Sequence, residues 1–289
     1  MKAILKLELN KAFKNPLLLF SIILGSILVL LSAIHVINGF NDEFSTKNLV
    51  EEVNRTGKLV EIQADSYTLY NKWIGAEMTS QVSIAFFYLL PLLAMLPCGF
   101  SLGSEINSGY TKHIIPHCGR KNYIFAKYIS AFITGGFVTS ALLLLSVLIV
   151  AAFIPAIAPK VFNTMFYPIM HGNVLSKTAF QNPLLFIFSY IGIDIIFGGL
   201  FACMPLTATF IFRKPISAVV SSYILVLVCD MIRSFFLYIF FIEISPINLM
   251  HAIPPLNESR FYMVALWYGI FIVLSLPYGI YKGVKYEII

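Results

Sequence analysis

The chain has 289 residues, 58% of them hydrophobic and only 12% charged, with a mean hydropathy of +0.84. Soluble domains carry roughly 25% charged residues, so a water-soluble globular protein is excluded and a lipid-embedded one is expected. The net charge of +6 would point to nucleic acid in a soluble chain; here the cations flank apolar runs, where the positive-inside rule and anionic headgroups account for them, and no nucleic acid partner is expected.

Several apolar runs reach the roughly 20 residues that a helix rising about 1.5 Å per residue needs to cross about 30 Å of hydrocarbon. They are continuous blocks, not the short alternating segments of a barrel, and helices satisfy their own backbone groups inside lipid. The expected fold class is an all-α integral membrane protein, with residues 1–289 forming a single transmembrane domain.

In chain order, residues 1–15, "MKAILKLELNKAFKN", set Ile4, Leu5, Leu7 and Leu9 among Lys2, Lys6, Lys11 and Lys14. That pattern suits a helix lying in the headgroup plane, which turns at Asn15-Pro16 into the first span. Six spans are expected, at 17–40, 82–103, 124–157, 183–210, 216–240 and 261–281. The first ends in "SAIHVINGF", a poor match to a small-residue cleavage site, so it reads as a retained anchor.

The loop 41–80 follows, with seven carboxylates (Asp42, Glu43, Glu51, Glu52, Glu61, Asp65, Glu77) against four cations (Lys47, Arg55, Lys58, Lys72), and belongs outside. Pro91 and Pro97 should kink the second span. The run 124–157 exceeds one perpendicular crossing, so it is tilted or begins as a helix already outside the bilayer. A second outside loop, 160–182, carries Lys160 and Lys177 against the positive-inside rule. "FRKP", with Arg213 and Lys214, is a tight basic turn that demands antiparallel neighbours on either side. "IEISPINLMHAIPPLNES", 242–259, reads as a half-dipped or capping element, and Lys282 and Lys285 return the tail to the side of the N-terminus. Both termini are expected in the cytosol.

Small residues recur at spacing four in Ser130-x3-Thr134, Gly135-x3-Thr139, Gly136-x3-Ser140 and Gly198-x3-Ala202, a pattern for close helix packing. The first three spans are not repeated in the last three, so an inverted-repeat transporter is not expected. Cys98, Cys118, Cys203 and Cys229 lack C-x-x-C spacing and imply no disulfide or redox motif. The only Gly-Lys pair, Gly57-Lys58, lacks a glycine five residues earlier, so the chain has no phosphate-binding loop. His113, His117 and Cys118 are interrupted by Pro116 and have no fourth ligand nearby, so no metal site is expected.

Ionisable groups inside spans are costly and therefore default to functional candidates. They are His35, Asp194, Asp230 and Arg233. Asp230 and Arg233, three apart on one helical face, could neutralise each other as a structural pair or mark a pathway. Asp194 has no local partner and could face a polar cavity, an interhelix hydrogen bond or a subunit seam. No proton relay or intramembrane protease pattern stands out.

Between the second and third spans lies "SEINSGYTKHIIPHCGRKNYIFAKY", basic and polar amid apolar sequence. With its flanks, residues 90–136, it resembles the second-to-third-span region of type-2 ATP-binding-cassette (ABC) exporter permeases. The likeness is to the Gram-positive peptide-export and bacteriocin-immunity type, similar to phenol-soluble-modulin-type peptide exporters. The matching positions are Glu105 at the end of the second helix, a short stretch 108–116, then Gly119-Arg120-Lys121 through Tyr123 to Ala126-Lys127-Tyr128. The sequence departs from the family at Cys118-Gly119, where Ser is common.

The resemblance implies an elbow helix over 1–15, a coupling region over 105–123 and a bacterial plasma-membrane permease that is not itself catalytic. It implies two copies of a cytosolic ATPase partner holding ATP and Mg, and a second copy of this chain or a paralogue. The ATPase-coupling residues so implied are Glu105, Ser108, Gly109, Tyr110, Lys112, His113, Ile114, Arg120 and Lys121. A cavity rich in Phe, Leu and Met suits an amphipathic or hydrophobic peptide cargo. Export of small drugs or lipids is the alternative, as is a non-transporting sensor that uses the loop 41–80.

Overall fold

The computed structural model describes residues 1–43, 55, 67–77, 80–159, 169, 173–212, 214–240, 242–253 and 258–285. Most of the loop 41–80, Lys160 and Arg213 lie outside the described residues. Among those described, the chain is helical, with one isolated parallel bridge between Ile242 and Glu258. It has six helices long and apolar enough to cross a membrane, the architecture of a multi-pass membrane protein.

The N-terminal helix, Lys2–Phe13, ends where Asn15 and Pro16 start the next one. The Leu17 amide donates to Asn15 Oδ1 at 3.0 Å, and Pro16 occupies a position whose amide would be unpaired in any case. The buried residues of this first helix are Ile4, Glu8 and Ala12, one face at spacing four, whereas Leu7 is exposed. A carboxylate therefore sits in the stripe that apolar periodicity assigned to leucines.

The spans are Pro16–Glu43, Gln81–Gly99 continued as Ser101–Asn107, Arg120–Phe153, Pro183–Ala208, Pro215–Phe240 and Phe261–Lys285. The second is interrupted at Phe100, three residues after Pro97. Side chains take up carbonyls left at the break: Asn15 Nδ2 donates to Pro97 O at 2.6 Å and Ser101 Oγ to Cys98 O at 2.8 Å. The third starts at Arg120 and stops at Phe153, not at residue 157 as the apolar run suggests; the chain ahead of Pro155 is extended. At about 1.5 Å per residue its 34 residues are about 50 Å long.

The second and fourth spans are the most enclosed, and the fourth packs on the second, third, fifth and sixth. Its seam with the third is set by glycine. A Cβ added at Gly135 would stand 2.5 Å from the Gly198 carbonyl oxygen and from Ala202 Cβ. Gly136 likewise abuts Ile195, and Thr139 abuts Gly198, so three of the four small-residue pairs form contacts of this seam or border it. The fifth and sixth spans are peripheral, with most of their surface outward.

One end of the bundle gathers the N-terminal helix, the segment 101–120, the turn between the fourth and fifth spans and the last turn of the sixth. There Gly103 meets Pro215, and Gly283 meets Ile124 and Phe210. This basic end has its own core around Ile4, Cys98, Leu102, Tyr123 and Leu206. The opposite end is capped by segments 67–77, 173–181, 242–253 and 258–259. They interlock through Leu69 N to Pro155 O (3.0 Å), Ala252 N to Gly75 O (2.8 Å) and Val174 N to Ser259 O (3.0 Å). The capping role expected of 242–259 is realised by burial of Ile247, Leu249, Met250 and Ile253.

Candidate functional site at the basic end

Glu105 lies near the end of the helix Ser101–Asn107. Ser108 and Gly109 then reverse the chain, Gly109 at φ +74°, where a residue with a Cβ would be strained. The helix Tyr110–Cys118 follows, and Gly119, at φ +78°, passes it directly into the third span. Pro116 does not interrupt this short helix, as the sequence had suggested. It falls in the last turn, two residues from the end, where little helix remains to be broken.

Four charges meet where these elements cross the N-terminal helix. Lys127 Nζ lies 2.6 Å from Glu8 Oε2 and 2.8 Å from Glu105 Oε1, and Lys11 Nζ lies 3.2 Å from Glu105 and 3.7 Å from Glu8. Tyr123 donates to the second oxygen of Glu105. The side chains of Glu8 and Lys127 are 2% and 3% exposed, so the pair is held away from solvent and each charge depends on the other. Lys11 also stands over the ring of Tyr110, 3.9 Å from its centroid. Burial would lower the pKa of Lys11, but Tyr110, Glu105 and Glu8 outweigh it and raise it above its ordinary value. A cavity of about 220 Å³ adjoins the cluster, reaching Asn15, Cys98 and Ser130.

Of the residues singled out from sequence, Glu105 and Tyr110 enter this cluster. Ser108 closes the turn, its hydroxyl donating to Glu105 O at 3.3 Å, and Gly109 supplies the left-handed conformation. Lys112, His113 and Lys121 are exposed, and Ile114 and Arg120 half-buried, on the outer surface. Burial raises the Cys118 thiol pKa, and its sulfur donates to Ile114 O at 3.2 Å. Sequence reasoning gave no role to Glu8, placed Lys11 only in the headgroup pattern, and named Tyr123 and Lys127 as matching positions without counting them among the coupling residues. Two signals were available: Glu8 is the only carboxylate among four lysines at the N-terminus, and Lys127 is a lone cation inside the run 124–157.

The intramembrane candidates part company. Arg233 pairs with Glu243 at 3.0 Å instead of with Asp230, which correction follows from the capping segment folding back over the fifth span. Asp230 accepts from Tyr88 at 2.7 Å and from Ser245. Arg233 thus ties the fifth span to the cap, and Asp230 ties it to both the cap and the second span. Burial raises the Glu243 pKa, against the opposing effect of Arg233. Asp194 is fully buried, and neither carboxyl oxygen has a hydrogen-bond partner among the described residues. His35 is exposed on the first span. No group of three His, Cys, Asp or Glu that could hold a metal ion occurs among the described residues.

Comparison with protein families, with curated proteins and with solved structures gives no match.

Proposed function

We propose that the chain is the membrane-spanning subunit of an ATP-driven ABC exporter, embedded in a bacterial plasma membrane with both termini cytosolic. In this reading the exposed face of Tyr110–Cys118, with Lys112 and His113, receives a separate ATPase subunit, which holds ATP and Mg. Lys2–Phe13 acts as the elbow helix. A second copy or a paralogue completes the path, and the cargo is an amphipathic or hydrophobic peptide.

The observation that carries the reading is the junction at Glu105. One carboxylate ties the segment before the short helix to Lys127 and Tyr123 of the third span and to Lys11 of the N-terminal helix. Lys11 reaches from there onto Tyr110, the first residue of the short helix. A displacement of that helix is thereby transmitted to three elements through charge-assisted contacts, which are short and directional. A basic loop serving topology alone would not need a carboxylate shared in this way.

The test is to co-express the chain with the ATPase encoded beside it, purify through a tag on this chain, and measure hydrolysis with and without an amphipathic peptide. The native complex is expected to show peptide-stimulated hydrolysis, and Glu105→Ala to keep the complex while reducing that stimulation at least tenfold. Failure of any ATPase to co-purify would overturn the reading in favour of a membrane sensor.

A further inference from the structure

The fifth and sixth spans each pack on the fourth and leave a groove of about 420 Å³ between them. Its floor is Met204 and Ala208, and its rims are Leu225 on the fifth span and Leu274 and Tyr278 on the sixth. Leu225, Leu274 and Tyr278 are all exposed, so the groove opens sideways, toward the hydrocarbon that surrounds a membrane-spanning bundle.

Although serine and threonine hydroxyls line it, their protons are already donated to carbonyls of the bundle. Thr207 donates to Ser275 O at 2.8 Å and Ser275 to Phe271 O at 2.6 Å, while Ser221 and Ser222 both donate to Ala218 O at 3.1 and 2.8 Å. The walls are therefore mostly hydrocarbon, with the Tyr278 hydroxyl at the rim. A peptide backbone would bring carbonyls that find no proton on these serines or on Thr207, and burying a carbonyl unpaired is unfavourable in an apolar medium. A hydrocarbon chain brings none.

Charge at the mouth completes the chemistry. The groove lies toward the basic end: Ile211 and Phe212 line it, Lys214 follows two residues on, and Lys282 stands one helical turn beyond Tyr278 on the same face. Both lysines are exposed. No Asp or Glu occurs in 195–229 or 259–285, the stretches that build the groove, so the charges they bring to its mouth are cationic.

We propose that this groove binds one anionic phospholipid, an acyl chain lying between the fifth and sixth spans and the phosphate held by Lys214 and Lys282. The site does not depend on whether the chain transports anything. A volume of 420 Å³ falls within the roughly 300–1,000 Å³ of small-molecule sites and accommodates a single acyl chain. Anionic and zwitterionic lipids of equal chain length differ only at the headgroup, so they separate the two halves of the site.

The full chain, purified in mild detergent, is titrated with dioleoyl phosphatidylglycerol or dioleoyl phosphatidylcholine and read by native mass spectrometry. One phosphatidylglycerol should be retained with a Kd at least tenfold below that of phosphatidylcholine. Lys214→Gln with Lys282→Gln should abolish that preference. Leu225→Trp, which fills the groove from its exposed rim, should weaken both lipids at least tenfold; Ser221→Phe does the same from within if the first variant fails to fold. Equal retention of the two lipids, or a preference that survives these substitutions, overturns the site and leaves only bulk annular lipid. A cationic amphipathic peptide that binds in a Leu225-dependent way while neither lipid does would overturn it in favour of a peptide groove.

Discussion

At Lys127 a single ammonium, 3% exposed, serves two carboxylates, and its removal leaves Glu8 buried with only the 3.7 Å contact to Lys11. Breaking a buried pair by deleting one partner costs about 3–5 kcal/mol, because the surviving charge stays desolvated. Lys127→Met is therefore expected to lower Tm of the detergent-purified chain markedly, and Lys127→Arg to lower it less. An unchanged melting curve for the Met variant would show that the pair contributes nothing net. A second residue carries its own pH signature. His251, fully buried against Phe87 at 3.9 Å between ring centroids, has a pKa pushed down to about 3 by burial. The unfolded chain takes up this proton near pH 6.5 and the folded chain does not, so the stability is complete above pH 6.5 and is lost as pH falls toward 3. Tm measured from pH 7 to 4.5 should fall in the native chain and fall less steeply in His251→Phe. Identical slopes would remove His251 from the account.

Between elements, the closest approach is the glycine seam of the third and fourth spans. Gly135→Ala puts a methyl 2.5 Å from the Gly198 carbonyl, nearer than such atoms approach, so the helices must separate at a cost of about 1–3 kcal/mol. Gly192→Ala on the same fourth span meets nothing within 4 Å and serves as the control, neutral or slightly stabilising through helix propensity. Thermal melts of the two variants that coincide would argue against the seam as drawn. These glycines were legible in the sequence because small residues at spacing four have few other uses in an apolar helix. The six spans were legible for a comparable reason, since continuous apolar blocks of that length have only one way to satisfy their backbone in lipid. Their ends were read less well. The length of the run 124–157 and Pro155 both bear on its ends, but hydropathy alone does not fix the start at Arg120 or the stop at Phe153.

Across the whole molecule, what hydropathy left undetermined is which spans are central. All six are apolar, yet the second and fourth are enclosed while the fifth and sixth face outward and leave the lipid groove between them. That order depends on side-chain fit over long sequence separations, which no local pattern records. The basic end illustrates the same limit: Lys11, Glu105 and Lys127 come from three separate stretches, and although Glu105 and Lys127 both fell in the motif, nothing local indicated that they meet. The separation also has a consequence for how the protein is made. Glu8 leaves the ribosome more than a hundred residues ahead of its partner Lys127, with the first two spans synthesised in between. Through that interval the carboxylate has only Lys11 to pair with, and the N-terminal helix cannot settle in its final berth. Its docking therefore waits for the third span, which brings Lys127 to the N-terminal helix.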